Sequence, residues 1–246
     1  MRRPLSGLPT HGPGRGGSLA GNRTGLYPAA MIRFLAPVVL ASLLVAPAAA
    51  QRADRATPGW VRVRLETADG PMVIALAAKK APATSANFLR YVDDGRFEGI
   101  SFYRTAKNKR DPRYGFIQGG IRTDARRFLD TIPHESTRKT GIKHLDMTIS
   151  MARMGPPGSA NGNFFISVGA LPSMDWSPAN PGYAAFGRIV AGQATVRRIL
   201  AEPVGGAMKG TLMLRPVRVN RAVRLDGKPQ PTGRPRPWLI ERRREG

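Results

Sequence analysis

Met147-Thr-Ile-Ser-Met-Ala-Arg-Met-Gly-Pro-Pro-Gly-Ser-Ala-Asn-Gly-Asn-Phe-Phe-Ile-Ser-Val168 holds two short β-type runs with a breaker region between them. Met147–Met151 and Asn163–Val168 have the length of strands and are built from apolar, aromatic and β-branched residues. Gly155-Pro-Pro-Gly158 and Asn161-Gly162 cannot continue a ladder or a helix, because proline lacks the N–H and glycine favours a turn. The same rhythm of short run and breaker extends outward. Phe102-Tyr-Arg104 and Phe116-Ile-Gln118 precede the stretch; Ala184–Val190 and the alternating Leu212–Leu225 follow it. Further upstream, Trp60–Glu66 alternates apolar and charged residues, Ala68-Asp-Gly70 supplies a turn, and Pro71–Ala77 returns as a second strand, which makes a hairpin. Two segments read as helices. Ala81–Asp94 has Pro82 in its first turn, Phe88, Leu89 and Val92 on one face, and Gly95 as its stop. Thr195–Ala201 is the other. Many strands with two helices predict a mainly β domain over residues 60–226, a closed antiparallel barrel capped by two α-helices. No internal repeat is visible.

The flanks have different compositions. Residues 1–30 are rich in Gly, Pro, Arg and Ser without apolar periodicity, and are expected to be disordered or an upstream extension of the reading frame. Residues 31–50 have the layout of a secretory signal peptide: Arg33, the apolar run Leu35–Val45, and small residues through Ala48-Ala-Ala50. The run is shorter than the roughly 20 residues of a membrane span. Cleavage near Ala50 and a periplasmic or secreted location are the expectation. Residues 51–59 read as a linker, and 227–246 as a disordered, basic, Pro/Arg-rich tail.

The 246-residue chain has no cysteine and a formal net charge of +23. Without cysteine an exported domain has no disulfides, so its core alone must hold it. Charge of this sign suits anionic partners, but no nucleic-acid-binding motif accompanies it. We expect a monomer with no specific nucleic-acid partner and weak attraction to an anionic envelope. With histidine only at 11, 134 and 144, no metal-ligand spacing is present. No nucleophile elbow and no glycine-rich phosphate loop occur. His134-Glu135 reads as a structural or surface pair. No cofactor is implied.

What remains is arginine among apolar residues on strands. Phe102-Tyr-Arg104, Phe116-Ile-Gln-Gly-Gly120, Ser150-Met-Ala152, Asn163-Phe-Phe-Ile166 and Tyr183-Ala-Ala-Phe-Gly187, with the opening Ala81-Pro-Ala-Thr-Ser-Ala-Asn-Phe88, resemble the cyclophilin family in order and register. The resemblance covers about Val61 to Val223. It implies a cyclophilin-like barrel and peptidyl-prolyl cis/trans isomerisation of proline-containing polypeptides. By position, Arg104 matches the catalytic arginine, Gln118 the glutamine that binds the substrate backbone, and Phe165 the floor of the proline pocket. Ala152 matches a wall residue, Met174 a rim leucine, and Tyr183 a position that is histidine in many members.

Several positions depart from the family pattern. An insertion, Thr105–Tyr114, separates the arginine from the glutamine strand. The pocket methionine becomes Phe116, the phenylalanine before it falls on Gly115, and Tyr114 or Phe116 is expected to fill the space. Asn163 replaces a second glutamine, and Arg153 replaces an asparagine or a similar small polar residue. The rim tryptophan of eukaryotic members has no counterpart; Ser173 falls near it and Trp176 is displaced. These departures leave a second reading open, a cyclophilin-fold proline-binding chaperone with little turnover. Phe116, Gln118, Ala152, Asn163, Phe165, Met174 and Tyr183 are the expected substrate contacts in either case.

Overall fold

The computed structural model describes residues 57–239. The readings made for 1–30, 31–50, most of the 51–59 linker and residues 240–246 of the tail lie outside the described residues. Nine strands follow in chain order: β1 (Val61–Thr67), β2 (Gly70–Leu76), β3 (Ser101–Lys107), β4 (Gly115–Gly120), β5 (Thr148–Met151), β6 (Asn163–Val168), β7 (Ala185–Ala191), β8 (Val204–Gly205) and β9 (Leu212–Arg224). The ladder order is β1-β2-β7-β5-β6-β4-β3-β9, and β9 pairs back with β1. Every neighbouring pair is antiparallel. The result is a closed eight-stranded barrel, with β8 a short extension on β9. Closure leaves no open edge along these strands.

Inward positions alternate along each strand, as the pleat requires. Val63 and Leu65, Ile74 and Leu76, Phe102, Ile117, Phe164 and Ile166, and Val217 and Val219 join one buried cluster. Two helices cover it: α1 (Pro82–Asp93) lies against β7 and β9, and α2 (Gln193–Ala201) against β2, β3, β4 and β6. From α1, the Phe88 ring inserts within 4.9, 5.4 and 5.5 Å of the Phe97, Phe164 and Phe186 rings. A single helical turn occurs at Thr137–Thr140, and Met208 and Lys209 make a left-handed turn before β9.

The N-terminus of α1 has no cap from its own side chains. Glu135 supplies one from a distant loop. Its carboxylate accepts the Ala83 and Thr84 N–H groups at 3.2 and 2.8 Å and the Thr84 hydroxyl at 2.6 Å. A carboxylate satisfies the free N–H groups of a helix start and complements its dipole. His134 beside it binds the Pro181 carbonyl at 3.0 Å. The pair is structural.

The tail corrects an expectation. Residues 227–239 are not disordered but run back over the end of α1. Asp94 accepts the Thr232 N–H and hydroxyl at 2.7 and 2.6 Å, and Asp93 accepts the Gln230 N–H at 2.9 Å. Trp238, only 2% exposed, lies under two guanidiniums, Arg96 at 4.7 Å and Arg127 at 5.0 Å, and donates to the Gly95 carbonyl at 3.2 Å. Averaged composition misses this, because one tryptophan and two partner arginines hold the segment.

Candidate active site

Ile117 points into the core, so Phe116 and Gln118 on either side of it point outward. The same alternation turns Phe165 out between buried Phe164 and Ile166. The ladders then align the candidates. Arg104 pairs with Gln118 across β3–β4, Gln118 with Phe165 across β4–β6, and Phe165 with Ser150 across β6–β5. Three expected site residues therefore form one row over adjacent strands.

The insertion does not displace the arginine. β3 runs on to Lys107, β4 begins opposite it at Gly115, and only the hairpin end is longer. Gly115 sits at φ 144°, and a Cβ there would collide with the Ala106 carbonyl. Where the chain folds back this tightly, no phenylalanine fits. Phe116 takes the space, its ring 5.5 Å from Phe165; Tyr114 is 43% exposed and packs over Gly169 instead.

The Arg104 guanidinium lies 5.1 Å from the Phe116 ring centre. Its Nε donates to Thr211 Oγ1 at 2.9 Å and its Nη1 to Gln118 Oε1 at 2.9 Å. Nη2 has no protein acceptor among the described residues. Gln118 Nε2 in turn donates to the Tyr103 hydroxyl at 2.8 Å. A bulge between Phe102 and Arg104 brings Tyr103 to this face. Burial pushes the Tyr103 phenol above its ordinary value, although the Gln118 bond and nearby Arg122 and Arg104 oppose this. It stays protonated.

Phe165, only 4% exposed, sits among aromatic rings. Beside Phe116 it meets the Tyr183 ring edge-on at 5.4 Å. Met174 lies on the turn Pro172–Met174, and its carbonyl accepts the Tyr183 N–H at 2.9 Å. Ala152 donates its N–H to the Asn163 carbonyl at 2.9 Å and lines a groove of about 430 Å³ together with Tyr103, Gln118, Arg122, Arg153 and Asn163. Ser173 is exposed, and the Trp176 ring lies under Arg138 at 4.4 Å, outside the lining of that groove.

Asn163 is more engaged than expected for a residue serving substrate alone. Its Oδ1 accepts the Arg122 N–H at 2.8 Å, and its Nδ2 donates to the Arg122 carbonyl at 3.0 Å. It pins the loop after β4, where Arg122 stands at φ 52°. One Nδ2 hydrogen is left for a peptide.

Sequence reasoning missed His144. Its side chain is fully buried and stacks parallel to Phe165, 7° between planes and 5.7 Å between centres. Nδ1 binds Asp175 Oδ1 at 2.7 Å and Nε2 binds Ser150 Oγ at 3.0 Å. With Nδ1–H donated to the carboxylate, Nε2 accepts the serine hydroxyl. The arrangement resembles a serine triad, yet Ser150 is wholly buried and cannot meet a substrate. The signal was Ser150 in a strand facing Phe165, but the loop that brings Asp175 is non-local. Among the described residues no cluster of His, Cys, Asp or Glu is disposed to hold a metal ion.

Comparison with known proteins bears on the family and the fold. The family model for "Cyclophilin type peptidyl-prolyl cis-trans isomerase/CLD" matches residues 62–223. Peptidyl-prolyl cis-trans isomerase A of Dickeya dadantii is 33% identical over 167 residues, 68% of this chain and 83% of the relative. The isomerase cyp18 of Streptomyces antibioticus is 31% identical over 148 residues, 59% of this chain and 86% of the relative. The solved cyclophilin-type isomerase of Cryptosporidium parvum shares the fold, with a TM-score of 0.53 at 20% identity over 69% of this chain and 99% of that one. Matched from its first strand to its last, the chain belongs to the cyclophilin-type peptidyl-prolyl cis-trans isomerase family.

Proposed function

We propose that this isomerase turns X–Pro bonds of exported polypeptides by presenting the Arg104 guanidinium to the twisted prolyl amide. The proline ring is held against Phe165. The observation that carries this reading is the row Arg104–Gln118–Phe165 on three adjacent strands. Amide resonance sets a barrier near 20 kcal/mol to rotation. At the twisted geometry the prolyl nitrogen pyramidalises and gains a lone pair. A donor aimed at that nitrogen binds the twisted state better than either planar isomer, which is the condition for catalysis. Arginine suits the task because it never deprotonates and its planar fork is fixed here by Thr211 and Gln118. Phe116, Phe165, Tyr183 and Met174 would enclose the ring, while Gln118 and Asn163 offer hydrogen bonds to the peptide and Ala152 forms a wall. No bond breaks and no proton moves. Export rests on the reading of residues 31–50, and mass spectrometry of the mature N-terminus tests it.

The test of mechanism is an isomerisation assay on a tetrapeptide. Arg104→Ala is expected to lower kcat/KM by about 30- to 1000-fold, because a charged hydrogen bond felt mainly in the transition state contributes about 2–4 kcal/mol. Arg104→Lys should recover little, since an ammonium lacks the fork. Wild-type activity in Arg104→Ala with an unchanged melting curve would overturn the assignment. The second reading, proline binding with little turnover, draws on the engagement of Asn163 with Arg122. Tight peptide binding with negligible isomerisation by the native protein would favour it.

A further inference from the structure

The groove of about 430 Å³ is lined by no carboxylate, yet two arginines border it from different loops. Arg122 follows β4 and Arg153 follows β5. Each guanidinium is laid on a ring of the site: Arg122 over Tyr103 at 5.2 Å, Arg153 over Tyr183 at 4.9 Å. Among the described residues neither has an ion-pair partner, although Arg62, Arg96, Arg113, Arg197, Arg224 and Arg234 all hold aspartates. With 39 basic and 16 acidic residues, scarcity alone leaves some arginines unpaired. These two differ in bordering the groove, where Arg122 is held by its main chain and Arg153 by its side chain. Asn163 holds both main-chain groups of Arg122, in a left-handed conformation that a non-glycine residue adopts only under constraint. Arg153 Nε and Nη2 donate to the Gly182 carbonyl at 3.2 and 3.1 Å, and its Nη1 reaches the Gly155 carbonyl. The Arg153 guanidinium, stacked on a ring and bound to neutral carbonyls, keeps its full charge and has little rotamer freedom left to lose, whereas the exposed Arg122 guanidinium is laid on its ring alone. The lining therefore presents two cations, each laid on a ring and with no carboxylate beside it in the groove, to whatever peptide occupies it.

We infer that the groove selects X–Pro segments carrying an aspartate or glutamate within two residues of the proline, and that Arg122 and Arg153 read that carboxylate. This rests on the isomerase reading above and adds the class of substrate. A partly exposed arginine–carboxylate pair is modest, so two together correspond to a preference of roughly three- to twentyfold, screened by salt.

The test is cis/trans exchange measured by NMR on peptides with Glu or Gln placed before or after an Ala-Pro unit. Exchange on the Gln peptides measures isomerase activity itself, so its absence contradicts the isomerase reading, not this one. At low salt, Glu at one of the two positions is expected to raise kcat/KM over Gln by that factor, with the ratio falling toward one in about 0.5 M salt. Arg122→Gln should bring the ratio near one, and Arg122→Lys should keep most of it. Arg221→Gln, on β9 opposite Glu66 and away from the groove lining, should leave it as in the wild type. Equal rates for Glu and Gln at both positions would overturn the inference. So would a preference that survives Arg122→Gln and Arg153→Gln, or one that Arg221→Gln diminishes equally, because the source would then be the overall positive field.

Discussion

At the scale of single residues, the juxtaposition of Arg104, Gln118 and Phe165 was legible because strand geometry is predictable. Once Ile117 is placed inward, Phe116 and Gln118 must face out, and the register that joins β3, β4 and β6 brings Arg104 and Phe165 to them. The hold of Asn163 on Arg122 and the place of His144 were not legible, because their partners lie on loops whose course no local pattern sets. Asn163 holds the main chain of Arg122, 41 residues away in sequence, and His144 meets Asp175, 31 residues away. His144 has a testable consequence. Burial holds its pKa below the ordinary value of 6.5, with Asp175 opposing. The folded ring stays neutral where the unfolded chain is protonated. Its contribution to stability is thus complete above about pH 6.5 and is lost as pH falls below it. Urea unfolding at pH 7.5 and 5.5 should show a loss in the wild type that His144→Asn reduces. Equal losses in both would mean that the buried ring does not titrate in this way.

At the scale of elements, both helices and the barrel strands except β3 fall within a residue or two of the sequence reading, since period-2 alternation and glycine or proline breakers are strong signals; β3 runs three residues further, to Lys107. The insertion after Arg104 was legible as extra length. That it only prolongs the β3–β4 hairpin was not, because register is decided by pairing across the ladder. The tail was misread for a different reason. Its residues are mostly polar or proline, and order comes from Trp238 between Arg96 and Arg127, with the buried Arg96–Asp94 pair at 2.8 Å beneath. Trp238→Ala is expected to cost about 3–5 kcal/mol, since a large buried side chain leaves a cavity and its N–H partner is lost. That corresponds to a fall in Tm of roughly 6–20 °C for a domain of this size. Differential scanning calorimetry measures it, and a shift below two degrees would contradict the docking of this segment. Arg127 also ties the loop that carries Arg122 to the Arg96 and Glu98 carbonyls, at 2.6 and 2.9 Å. KM for peptide should therefore rise with the loss of Trp238.

At the scale of the whole molecule, the excess of positive charge makes the few carboxylates disproportionately important. Asp226 takes a two-point bond from Arg62, joining the end of the closing strand to β1, and that bond holds its carboxyl below the usual range. Burial alone would raise Asp94, but bonds from Thr232 and Arg96 outweigh it and the net shift is downward. Asp124 is held down by Arg126 first, with Arg127 assisting. Groups with depressed carboxyl values stabilise the fold above the ordinary value of 3.8 and lose that contribution as pH falls through their folded values. Unfolding followed by circular dichroism should give a steep loss of Tm below about pH 4, steeper in low salt because the remaining charge is all positive. Asp226→Asn should make that dependence shallower.

The central claim is that Arg104 acts on the twisted state and not on the bound ground state. The measurement that separates the two is NMR exchange on an Ala-Pro peptide, recording binding shifts and cis/trans interconversion in one titration with native protein and with Arg104→Ala. The account predicts that the substituted protein still binds the peptide within a few-fold of the native affinity while interconversion falls by about 30-fold or more. Loss of binding and interconversion in equal proportion, or interconversion undiminished, would contradict it.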